Sequence, residues 1–135
     1  MKNFRKIYVL LLLIGAQLTY SQVYKFKTTS VTLSEKTPKD TWSKWTEPAQ
    51  TNLVITLDTK KSRIVVYSQS IQLFEILEYI DEKETETDKT VAFVCKDNMG
   101  EDCNISIITR KNQEYRMQLY ITYEDRIINY NIEVL

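Results

Sequence analysis

The sequence predicts an all-β fold. It reads as a single-domain antiparallel meander of about eight strands, either closed into a small barrel or folded as a two-sheet sandwich. Three observations carry this reading. Apolar and polar residues alternate with a period of two through most of residues 22–135. The breaks between these runs are short and polar, which favours hairpin-linked antiparallel neighbours. No internal repeat and no second domain boundary interrupts the pattern.

The elements follow in order. Residues 23–36 form an extended run that changes phase: Tyr24 and Phe26 share one parity, Val31 and Leu33 the other. A β-bulge near Thr28 to Ser30 reconciles them. Residues 37–50 hold both proline residues of the chain, Pro38 and Pro48, and read as a loop. Leu53, Ile55 and Leu57 then share a face, as do Ile64 and Val66. Val91, Phe93 and Cys95 form the next set, followed by Cys103, Ile105 and Ile107. Tyr115, Met117, Leu119, Ile121 and Tyr123 make the longest, and Ile128, Tyr130, Ile132 and Val134 the last.

Residues 70–82 fit two periods. As a helix, they carry a polar stripe of Gln72, Glu75, Glu78 and Glu82 with Ser70 as a cap. As a strand, they continue the alternation on either side, and the neighbouring strands favour that reading. The acidic run Asp81 to Lys89 reads as a solvated loop, because it lacks the glycine and the residue order of a calcium loop.

Residues 1–21 are read as a secretory signal peptide. A basic start with Lys2, Arg5 and Lys6 precedes an apolar run from Ile7 to Leu18, which is short for a membrane span. Thr19-Tyr20-Ser21 supplies a cleavage point ahead of Gln22, leaving residues 22–135 as one β domain with no membrane span. The expected location is periplasmic or secreted. Loss of the three basic residues takes the formal charge from +0 to −3. That is too mild to argue for nucleic acid.

The chain contains no histidine. Ser-His-Asp and Cys-His catalysis are therefore excluded, along with nearly all zinc and copper sites. Paired carboxylates remain conceivable, and Glu75, flanked by Leu73 and Leu77, is one strand carboxylate whose pKa burial would raise. No cofactor is implied.

Two pairs of residues stand out. Cys95 and Cys103 are the only cysteines, and they flank a turn-forming stretch with Asp97, Asn98 and Gly100. If that stretch is a hairpin tip, the two face each other, and export would allow a structural disulfide. Trp42 and Trp45 lie beside Pro48 in the early loop. They either plug one end of the core or contact a ligand at a barrel mouth. Eukaryotic modification patterns, Trp42 to Trp45 for C-mannosylation and Asn104-Ile105-Ser106 for N-glycosylation, stand without any sign of the pathway they need.

Several strand stretches together resemble short exported proteins of unassigned function from Bacteroidetes-type bacteria. They are Ile64 to Ser68, Gln72 to Ile76, Val94 to Asp97, Cys103 to Ile105, Tyr120 to Tyr123 and Asn129 to Asn131. The glutamine following the cleavage point is similar too. The resemblance implies a periplasmic or secreted bacterial protein and no activity. The chain also has the size of a lipocalin-like (calycin) barrel, but the G-x-W signature of that family is missing, so the likeness is architectural. The function expected from these readings is non-enzymatic binding of a small apolar ligand inside a barrel, with surface recognition of a partner protein or a structural role in the cell envelope as the alternative. A carboxylate-dependent hydrolase is the remaining alternative.

Overall fold

The computed structural model describes residues 22–135, so the signal segment, residues 1–21, lies outside the described residues. The described chain is built from nine strands and one turn of 3-10 helix at Lys111–Gln113. The strands are β1 (Val23–Glu35), β2 (Ala49–Gln50), β3 (Val54–Asp58), β4 (Arg63–Tyr67) and β5 (Gln72–Glu84). They continue with β6 (Asp88–Asp97), β7 (Asp102–Arg110), β8 (Arg116–Thr122) and β9 (Arg126–Val134).

From β3 to β9 each strand pairs antiparallel with the next, as short polar connections dictate. The first strand closes the ring, pairing with β3 on one edge and β9 on the other. The result is an eight-strand closed barrel, which settles the choice between barrel and sandwich. The two-residue β2 lies outside that count, against β1 at Ser30 and Val31.

Alternation decides which side chains face inward, and the register stacks them in rows. Cys95 and Cys103 align across β6 and β7 at one end, called here the lower end, where Tyr123 follows the last residue of β8. Phe93, Ile105 and Ile121 form the next row, and Val91, Ile107 and Leu119 the one above. Phe26, Ile55, Ile64, Val66 and Phe74 complete the core from the other side. Phe74, Ile55, Ile105 and Ile121 are fully buried, each contributing about 1.5–3 kcal/mol relative to exposure.

The bulge expected near Thr28 to Ser30 is present: the β1–β9 register shifts between Thr28 and Ser30. Here the Leu53 carbonyl accepts from the Thr28 N–H at 2.9 Å. The Leu53 N–H is turned instead to the Thr28 hydroxyl oxygen, at 2.8 Å. A side chain thus replaces a ladder acceptor where the backbone changes phase.

Residues 72–84 are strand, not helix. A register shift between Ile76 and Glu78 moves the inward face from Phe74 and Ile76 to Tyr79, opposite Phe93. That two-then-three spacing is what imitates a helical period.

Two expectations are corrected. The acidic run is not a loop: β5 and β6 extend through it and leave a turn at residues 85–87. Its charges are met by bases, with Glu82 near Lys89, Glu84 on Lys111 and Asp88 on Arg110. Tyr115 does not share the inward face of its strand. It is 67% exposed, because Glu114 and Tyr115 both adopt left-handed backbone, φ 57° and 59°, and break the pleat before β8 begins.

Candidate functional site

The ring of strands is packed below and open above. At the upper end, inward-facing side chains of β1, β3, β5, β6, β7 and β8 stop short of meeting and leave a recess of about 450 Å³. Phe26, Leu57, Phe93 and Ile107, all buried, form its floor. Tyr24, Tyr79, Ile80, Val91 and Met117 form its walls. Tyr24 and Tyr79 remain 46% and 47% exposed although they stand at the mouth of an apolar space. An apolar concavity with a few polar groups is the ordinary form of a small-molecule site.

The rings are held in place. Tyr79 meets Phe93 edge to face, with centroids 5.6 Å apart and planes at 81°. Its hydroxyl donates to the Ser62 hydroxyl at 3.2 Å, and the Tyr24 hydroxyl donates to Gln22 Oε1 at 3.0 Å. Polarity gathers on one arc of the rim. Lys89, Thr109 and Met117 align across β6, β7 and β8, and Glu82 lies 3.8 Å from the Lys89 ammonium.

The lower end is smaller and polar. A hollow of about 240 Å³ there is bordered by Gln72, Asp97, Asn98, Tyr123 and Arg126. Tyr123 donates to Asp97 at 2.7 Å, and the Arg126 guanidinium stacks over the Tyr123 ring at 3.8 Å from its centroid. Burial, then the bond to Asp97, pushes the Tyr123 hydroxyl upward. Burial also acts upward on Asp97. Hydrogen bonds from Tyr123 and from the N–H groups of Glu101 and Met99, together with Arg126, outweigh it and leave the carboxyl below its usual value. Arg126 also binds Glu101 and Asp125, so this end is tied shut by its own charges.

Cys95 and Cys103 stand directly opposite each other, as expected. They are nevertheless free thiols, both buried, and not joined in a disulfide. The Asp97 N–H donates to the Glu101 carbonyl, and hydrogen-bonded pairs alternate along an antiparallel ladder. Cys95 and Cys103 are therefore a hydrogen-bonded pair, for which Cα atoms stand about 5.5 Å apart, within the range that a disulfide spans. Burial pushes both thiols up to about 12.

Trp42 and Trp45 neither plug the core nor line the recess. They lie on residues 42–50, a strap held to β1 by the Ser43 N–H to the Glu35 carbonyl and the Thr46 N–H to the Leu33 carbonyl. Both face outward, 43% and 46% exposed, with the Lys36 ammonium over Trp42 and Tyr120 edge-on to Trp45. Glu75 also points out to solvent. The recess residues Tyr24, Tyr79, Thr109 and Met117 are not singled out by the sequence. Their signal is inward parity close to a strand end, which becomes visible only once the barrel closes.

Among the described residues no helix is long and apolar enough to cross a membrane, and no cluster of acidic, histidine and cysteine side chains is suited to a metal. Comparison with protein-family models, with curated proteins and with solved structures returned no match.

Proposed function

We propose that this chain is an exported, non-enzymatic binding protein that holds a small apolar molecule in the upper mouth of its barrel. The observation that carries the reading is the apolar recess over a filled core, with aromatic rings left half-exposed at its rim. Hydrolysis finds little support there, since Glu82 is the one carboxylate among the lining residues and glycoside cleavage needs two. The N-terminal pattern supports export to the periplasm or beyond. In such a compartment the facing thiols of Cys95 and Cys103 would oxidise to a bridge. The exposed Trp42 and Trp45 support a second reading, a partner protein on the strap face.

Native mass spectrometry of the protein from its own host's exported fraction tests these readings together. The expected result is an added small-molecule mass that disappears on denaturation, and a protein mass two hydrogens below the reduced value. A ligand-free monomer, in a preparation that preserves weak complexes, overturns the carrier reading. A fully reduced mass overturns the bridge.

A further inference from the structure

Resting on the barrel-mouth reading, we infer that the recess selects flat aromatic molecules bearing a hydrogen-bond acceptor on one edge, in preference to flexible alkyl chains. Four aromatic rings line the recess beside the aliphatic side chains of Leu57, Ile80, Val91, Ile107 and Met117. Tyr24 and Phe26 rise from β1, and Tyr79 and Phe93 face them from β5 and β6. Ring walls differ from a wall of leucine or methionine side chains, which re-pack around a bent chain. Here the hydroxyls of Tyr24 and Tyr79 hydrogen-bond Gln22 and Ser62, which favours one orientation of each ring. The 81° angle between Tyr79 and Phe93 offers a guest one ring face and one ring edge, the two partners a planar π-system prefers.

The rim fixes the orientation. Lys89 and Thr109 pair directly across β6 and β7, with Lys89 on the inward parity of Val91 and Phe93. Among the described residues the Thr109 hydroxyl makes no hydrogen bond, although it lines the recess. The Lys89 ammonium is only loosely matched, 3.8 Å from Glu82. Two donors therefore stand together on one side of an otherwise apolar mouth. An acceptor on the guest's edge, such as a carboxylate or carbonyl, would meet both while its rings lie against Tyr24 and Tyr79.

The test is calorimetric titration of the purified protein with 2-naphthoate and with decanoate, two carboxylates of similar carbon count that differ in flatness. Binding of 2-naphthoate about tenfold tighter is expected, the scale of one or two aromatic contacts. Tyr79→Leu, at a half-exposed position that should not unfold the barrel, is expected to weaken 2-naphthoate about fivefold and decanoate by less than about twofold. Lys89→Gln is expected to weaken both. Equal binding of the two, or a preference for decanoate, overturns the flat-ligand inference and leaves the barrel-mouth reading standing. Naphthoate binding that Tyr79→Leu does not alter also overturns it, because the site is then elsewhere. Binding of neither compound overturns the inference and removes support from the barrel-mouth reading as well.

Discussion

Thr28→Val should destabilise the barrel by about 2 kcal/mol, although it changes the volume of the side chain very little. Thr28 is 2% exposed and sits at the last paired position before the β1 bulge. Its hydroxyl oxygen accepts from the Leu53 N–H at 2.8 Å and from the Thr51 hydroxyl at 2.9 Å. Valine keeps the shape and removes the acceptor. Thr51 can turn to water, but the Leu53 N–H is left without a partner beside the core, and an unsatisfied donor of this kind costs about 1–3 kcal/mol. Thr28→Ser keeps the oxygen and loses one methyl group, worth about 0.8 kcal/mol. Urea unfolding followed by fluorescence separates the two. With a slope of about 1–3 kcal/mol/M, the Thr28→Val midpoint should fall by roughly 1 M at unchanged slope, and the Thr28→Ser midpoint by less than half of that. A Thr28→Val protein as stable as Thr28→Ser, or more so, would refute the claim that the hydroxyl completes the ladder.

Two further outcomes follow from the core and from the lower end. Phe74→Ala, at a fully buried position opposite Ile64, should cost about 3–5 kcal/mol in urea unfolding. A loss under about 1 kcal/mol would mean that the core there can collapse onto the cavity. Asp97 has a folded pKa below its usual 3.8, so the stability it supplies is complete above that value. It is lost as pH falls through the lower folded value. Asp97→Asn should therefore reduce stability at neutral pH and flatten the acid side of the stability profile. Parallel profiles for the variant and the wild type below pH 4 would show that the acid sensitivity lies in other groups.

Alternation makes most of the barrel legible in the chain itself. Ile55 and Leu57, Val91 to Cys95, and Leu119 to Tyr123 each alternate a buried with a less buried face, and a period of two is the only spacing that serves both. The β1 bulge is readable for the same reason, because Tyr24 and Phe26 cannot share a face with Val31 and Leu33 in a regular strand. The β5 bulge is hidden by its own effect, since inward positions 74, 76 and 79 borrow the spacing of a helix. Nor can alternation choose barrel over sandwich. That choice is made by the pairing of Phe26 with Val134 and its neighbours, which local pattern does not encode. The recess is invisible on the same ground. It exists because several strands end at different heights around a closed ring, and no single strand records where the others stop. Trp42 and Trp45 suggest burial by residue type, while their backbone is committed to the outer edge of β1, so the strap is not legible either.

The seam between β1 and β9 also bears on how the chain reaches its native state. The first strand in the chain is sealed only by the last, so the pairs of highest sequence separation complete the ring. Until β9 docks, β1 and β8 each present an open row of amide and carbonyl groups able to pair with another molecule. Substitutions that weaken the β1–β9 seam should therefore free two strand edges at once and raise the tendency to aggregate.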